Sequence, residues 1–419
     1  MKKLYYFTLL TLPFLYVESQ YLMILMFIVS LFFLKCLIKE TDMFFVIAFL
    51  LSNLYSSIDI FGFKLYDVIS ILMFIYVLMT RKISFKKITL LKIILFVFVI
   101  FTILLLRIDD YAFIELIRYL ISIMLFVSVI GIHLNLNAYK NYIYGIIFIA
   151  IYNALLIYLF QSNGYLLIND NGLISTNIYI YKDEIRLGGF FSDPNKYMAF
   201  CCFYFIVLYI SYGGKLNKKM IFIVFASLLL SLSRTSLLIV GTYLMFELGN
   251  YIYKKSKPLF ILIMLIIPII VLFILKYDII NEIFVISAKL LGRERTLTIN
   301  TNISEDNRML IWKTAIDIFN KNPLLGYGLS ANTILLAYPS HNTILSMVLD
   351  GGIIFLLSYL LFISDILKIK VGLLVPFIFI PLFFLDLGNF RMLFFLLAIL
   401  NKERIEKSEF NHYNKKIWK

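Results

Sequence analysis

The residues in this chain that could do chemistry are few, and most stand between Arg186 and Gly352. His341 precedes Asn342 at the mouth of an apolar run. A neutral imidazole is the usual proton acceptor near neutral pH. Arg308 heads the segment NRMLIWKTAIDIF, Arg186 opens RLGGFFSDPN, and Arg234 sits in LSRTS. A guanidinium can grip a phosphate through two parallel hydrogen bonds. A cation and a proton acceptor held together at a membrane surface would suit transfer of a group from a lipid-linked phosphate donor. Plainer readings stand beside these. His341 could simply start a helix with Asn342, and the arginines could reach toward lipid headgroups.

Those side chains need elements to hold them. The segment from Asn307 to Phe319 has helical period, with Arg308, Trp312, Ala315 and Phe319 on one face. Asp306 is the expected N-cap, and Asn322 before Pro323 is expected to stop the helix. This is an amphipathic helix at the membrane surface, where Trp312 suits the interface. Pro323-Leu-Leu-Gly326-x-Gly328 reads as a turn whose backbone passes close to something. Glycines after Arg186 permit tight backbone, and Pro194-Asn195 begin the next span. Arg234 lies between two apolar spans with little loop around it, where a charge needs a polar cavity or a headgroup layer. Asp109 and Asp110 could bind a metal or act as a base, although pairing with Arg107 is the plainer reading. Glu115 and Arg118 are spaced to pair. Arg293 and Arg295 read as members of a solvated loop. The chain has no GxxxxGK[ST] and no glycine-rich turn after a predicted strand, so no nucleotide site is expected. Three cysteines, Cys36, Cys201 and Cys202, show neither disulfide nor metal-ligand spacing.

Composition sets the frame. The chain has 419 residues, of which 62% are hydrophobic and 15% charged. An ordinary soluble protein is about half apolar. The expectation is therefore an all-α polytopic membrane protein in a single domain over 1–419. Apolar runs fall over 4–17, 21–38, 43–57, 65–80, 88–106, 112–132, 142–160, 195–212, 220–233, 236–253, 258–275, 342–363, 371–385 and 390–401. That gives about 14 transmembrane helices, with about 12 as the alternative. The net charge of +14 does not mark a nucleic-acid binder, because the lysines cluster in short runs between spans. With both termini cytoplasmic, every such cluster falls inside. The start, Met1-Lys2-Lys3 before an apolar run, resembles a signal peptide but lacks a small-residue cleavage site, so a retained helix is expected. Two outer loops are expected, over 161–193 and 276–340, the second leading into the His341 helix. In this topology His341 is the one outward histidine, since His133 and His412 face the cytoplasm.

Taken in order, Arg186-x-x-Gly189 with Pro194-Asn195 and Ala199, Ser233-Arg234, Arg308-x-x-x-Trp312, Pro323-Leu-Leu-Gly326-x-Gly328, and His341-Asn342 before Gly351-Gly352 resemble the O-antigen ligase and polymerase superfamily. These are integral membrane glycosyltransferases of the bacterial envelope. The resemblance covers roughly 186–352. It implies an inverting transferase in the bacterial inner membrane, with its site facing the periplasm or cell exterior. It needs no metal, nucleotide or other cofactor. The donor would be an oligosaccharide on undecaprenyl pyrophosphate. Arg186 and Arg308 look like its pyrophosphate ligands, with Arg234 assisting. His341 looks like the residue that activates the acceptor hydroxyl. Asn195, Trp312, Gly326, Gly328 and Asn342 would support them. Membrane lipid and a chain-length regulator protein are the expected partners. A polymerase of O-antigen or capsule repeat units is the favoured reading. The alternatives are a ligase that transfers glycan to lipid A-core and, from another class, a flippase of lipid-linked oligosaccharides.

Overall fold

The computed structural model describes residues 2–162, 174–176, 188–258, 304–336, 340–364 and 375–402, less positions 19, 57, 61–62, 82, 84, 190, 192–193, 215, 217 and 232. The chain is built from helices, numbered here in order. These are α1 (Lys2–Glu18), α2 (Gln20–Leu37), α3 (Thr41–Ser52), α4 (Leu65–Thr80), α5 (Lys87–Leu106), α6 (Asp110–Gly131), α7 (Lys140–Ser162), α8 (Pro194–Ser211), α9 (Lys218–Leu230) and α10 (Arg234–Lys255). After them come α11 (Ser304–Phe319), α12 (Ala331–Leu335), α13 (Thr343–Ile363), α14 (Val375–Phe384) and α15 (391–402). Helices thus meet every expected span except the one over 258–275, which lies outside the described residues past its first position. By length and apolarity, Lys87–Leu106, Asp110–Gly131, Lys140–Ile157 and Thr343–Ile363 can each cross a membrane.

Two expectations are corrected. The chain is not wholly α, because Ile58–Ile60, Phe63–Lys64 and Ile174–Thr176 form a small antiparallel sheet in the order β2-β1-β3. Strand β3 (Ile174–Thr176) belongs to the first expected outer loop and pairs with β1 (Ile58–Ile60), beside β2 (Phe63–Lys64). Next, α11 begins at Ser304, so Asp306 lies within the first turn and does not cap it.

Two helices are buried on nearly all sides. In α8 every residue from Tyr197 to Leu208 is at most 1% exposed, as is every residue of α15 from Met392 to Ile399. A helix apolar all round belongs in the centre of such a bundle. The rings of Phe203 and Phe390 join these two regions at 5.9 Å. Around them, α5 and α10 turn Phe98, Leu105, Leu237 and Met245 outward, leaving an apolar surface suited to lipid.

Polar contacts gather at the two ends of the bundle. At one end, Asp42 in the first turn of α3 accepts from Tyr76 at 2.8 Å, from Arg81 at 2.8 Å and from the His133 amide at 2.7 Å. These donors come from the last turn of α4 and the exits of α4 and α6. The opposite end carries the N-termini of α4, α6, α13 and α15, joined through the 385–390 connection. Arg391 donates to Asp67 at 2.7 Å, Asn389 donates to Glu115, and the Leu387 amide donates to Thr343 at 3.0 Å. The alternating direction of the helices read from sequence is therefore present in the fold.

Candidate functional site

The site end is assembled from backbone upward. Asn342 caps α13: its side-chain oxygen accepts from the amides of Ile344 at 2.9 Å and Leu345 at 3.1 Å. An asparagine cap satisfies amides that the first turn leaves open. His341, half-buried immediately before it, has φ of 49°. This left-handed backbone is uncommon outside glycine, with asparagine, aspartate and histidine adopting it more often than other residues. It turns the chain sharply out of α13, so His341 stands at the lip of the bundle and does not continue the helix.

Helix α11 docks here. The Trp312 indole donates to the Ser340 carbonyl at 2.8 Å, and its ring meets Phe383 edge-on at 5.9 Å. Ala315, Leu336 and Leu349 form a buried cluster with Ile311, Phe319 and Leu345 around it. The face predicted to carry Arg308, Trp312, Ala315 and Phe319 is thus the face turned toward α13. Arg308 stands one turn before Trp312 on that face; its side chain lies outside the described residues.

The Pro323–Gly328 turn explains the paired glycines of α13. At Gly351 and Gly352 the helix leaves helical backbone, with Gly352 at φ 63°. The turn fills this break. The amides of Tyr327 and Gly328 donate to the carbonyls of Leu349 at 2.9 Å and Asp350 at 2.8 Å. In return, the amides of Ile353 and Ile354 donate to the carbonyls of Pro323 at 2.8 Å and Leu324 at 3.4 Å. The bonds that the helix would make to itself are exchanged for bonds to the turn. Buried non-helical backbone in a membrane bundle requires such partners. A Cβ on Gly326 would lie 2.7 Å from the Gly351 and Gly352 nitrogens, and one on Gly352 would lie 2.2 Å from the Leu324 oxygen. At about 1.5 Å per residue, this break lies roughly 12 Å along α13 from its start. The second loop therefore dips into the bundle, and Gly326 and Gly328 serve the backbone packing.

Two polar residues join the site that sequence reasoning did not single out. Asp386 accepts from Ser346 at 2.9 Å and from the Asn332 amide group at 3.3 Å. The Asn332 backbone amide donates to the Asp350 carboxylate at 3.0 Å. Burial pushes the Asp386 carboxyl up to about 6, against the pull of Ser346, while Lys196 draws it down. Asp386 reads in sequence as one acid in an apolar stretch, FFLDLGNFR. A lone acid just past an expected span was a usable signal. Lys196 directly follows Asn195 and is exposed.

Asn195 holds the other half of the site end. Its side-chain oxygen accepts from the Ser233 hydroxyl at 2.8 Å, so the N-termini of α8 and α10 meet. Arg234 is the first residue of α10; its side chain, like that of Arg308, lies outside the described residues. Arg186 lies wholly outside them. Near Lys196, Asp386 links this half electrostatically to the His341 half. The expected local pairs are present: Arg107 donates to Asp109 at 2.5 Å, and Arg118 to Glu115 at 3.1 Å. Asp109 also caps α6, and the Ala112 amide, followed by Arg107, holds its carboxyl below the usual range. Asp109 is thus committed to structure. Among the described residues, no group of three or more His, Cys, Asp or Glu side chains could hold a metal ion.

A polytopic helical membrane protein with its polar contacts gathered at the two ends of the bundle is the class that this fold and site define. Residues 220–360 match the family model described as O-antigen ligase, which supports the superfamily indicated by the motif order. The matched region holds Arg234, Arg308, Trp312, the 323–328 turn and His341; Asn195 and Asp386 lie beyond its ends. No curated protein matches the chain. The family match covers about a third of the chain and supports an O-antigen ligase or polymerase type of role, and the apolar helices fit a membrane protein.

Proposed function

We propose that this protein is a polysaccharide polymerase of the inner membrane, extending O-antigen or capsule repeat units on its outer face. It transfers glycan from undecaprenyl pyrophosphate to a hydroxyl of another lipid-linked repeat unit. The observation that carries this reading is the Trp312–Ser340 bond, which seats the Arg308 helix against the residue preceding His341. A proton acceptor and a cation-bearing helix are thereby held at one lip of the bundle.

In the reaction, His341 takes the proton of the acceptor hydroxyl as its oxygen attacks the anomeric carbon. The glycosidic bond forms on one face while the bond to pyrophosphate breaks on the other, which inverts configuration. The leaving pyrophosphate gathers negative charge. Arg186, Arg308 and Arg234 supply fixed positive charge, and the helix N-termini at this end add theirs. No metal or nucleotide takes part in this scheme. A chain-length regulator is the partner that such a polymerase would need.

A ligase remains the second reading, favoured by the description of the matched family. Deletion of the gene, followed by a gel of the surface glycan, separates the readings. Loss of a polymerase leaves a single repeat unit on the acceptor. Absence of any repeat there, with lipid-linked polymer accumulating, assigns the ligase. Failure to deliver lipid-linked units across the membrane assigns the flippase.

A further inference from the structure

An apolar cavity of about 370 Å³ lies between α13 and α14. Met347, Leu356, Leu360, Phe379, Ile380 and Phe383 are among its lining residues. Thr343, Ile344 and Phe384 line it at the end nearest His341 in the chain, and Ile363 lines it at the far end of α13. The twenty-one residues from Thr343 to Ile363 rise about 30 Å, close to the thickness of a bilayer's hydrocarbon core. Thr343 brings no unmet polar group to the lining, because its hydroxyl donates to the Leu385 carbonyl at 2.6 Å and accepts from Leu387. Ile344, Leu360 and Phe383 are about two-fifths exposed, so the cavity is open to the side as a groove.

We infer that this groove receives the polyprenyl tail of the donor lipid, an inference that rests on the transferase reading above. Two features select that occupant over an ordinary bilayer chain. First, the groove is continuous with the candidate site: Thr343 lines it, and His341 stands two residues earlier in the chain. Second, Trp312 touches both regions, donating to Ser340 at the lip and packing on the groove residue Phe383. An interfacial tryptophan marks the level where headgroup gives way to hydrocarbon. A lipid with its pyrophosphate beside Trp312 and His341 would therefore lay its first isoprene units between Thr343 and Phe383. Branched chains suit an aromatic and aliphatic lining, where each buried methylene contributes about 0.8 kcal/mol.

The test uses full-length protein in nanodiscs and one glycan-pyrophosphate on two tails, undecaprenyl and geranyl. Leu360→Trp fills the groove from its lipid-facing edge, and Leu361→Trp, which faces lipid outside the lining, is the control. Wild type should favour the undecaprenyl donor in kcat/KM by about tenfold or more, the equivalent of about two buried methylenes. Leu360→Trp should lose most of that preference while its geranyl rate holds, and Leu361→Trp should behave as wild type. Full preference retained in Leu360→Trp, or equal loss with both tails, overturns the groove assignment. If wild type transfers from neither donor, the transferase reading itself fails and the groove assignment fails with it.

Discussion

His341 sits in left-handed backbone one residue before a helix cap. For an L-residue this conformation costs about 1–2 kcal/mol, a cost that glycine escapes. A residue kept only to start the helix would therefore be better as glycine. His341→Gly should hold thermal stability within about 1 kcal/mol of wild type, since relieved strain offsets the freer unfolded chain. Its polymer yield should nevertheless collapse, and undiminished polymer at normal membrane levels would reduce His341 to a structural residue. Asp386 offers a second check at this scale. Its carboxyl is raised from 3.8 to about 6, chiefly because burial removes its hydration. A carboxyl raised on folding holds its proton more tightly in the folded state. Its contribution to stability is thus fully present below about 3.8 and lost as pH rises through about 6. Thermal melts of the solubilised protein should show stability falling between about pH 4 and pH 6 and levelling off above, and Asp386→Asn should flatten that fall. The imidazole and the arginines stand out in sequence because such groups are scarce in apolar chains. Asp386 did not, because its partners Ser346 and Asn332 come from distant segments.

Between helix and turn, the break in α13 and the 323–328 turn form one unit. Each supplies the hydrogen bonds that the other lacks. Gly326→Ala would place a methyl 2.7 Å from two backbone nitrogens and the Leu349 oxygen, at φ of 65°. We expect a loss of about 2–3 kcal/mol, read as a lower melting temperature and reduced membrane levels. An unchanged melt would mean that the turn does not occupy the break. Helix positions were largely legible, since apolar runs of span length are a strong signal. The glycines were legible as close-approach positions, but spacing alone could not say what approached them. The partner proved to be a turn some twenty-five residues earlier in the chain. The small sheet was missed because strands of two or three residues carry no periodicity to detect.

Across the whole molecule, helix direction organises the chemistry. The N-termini of α4, α6, α13 and α15 converge through Asp67–Arg391, Asn389–Glu115 and Leu387–Thr343. Those of α8 and α10 meet through Asn195 and Ser233. Helix N-termini carry partial positive charge, so this end favours an anion over the other. From the lysine clusters we propose that this end faces outward. Cys36, exposed near the C-terminus of α2, should then resist an impermeant maleimide in intact cells and react in inverted vesicles. Labelling in intact cells would reverse the orientation. The most direct test of the central claim is elongation of lipid-linked repeat units by purified protein in nanodiscs, without nucleotide sugars. Wild type should build a ladder of polymer and release undecaprenyl pyrophosphate, while His341→Ala, folded and at equal level, should build none. A ladder from His341→Ala equal to that of wild type would contradict the account.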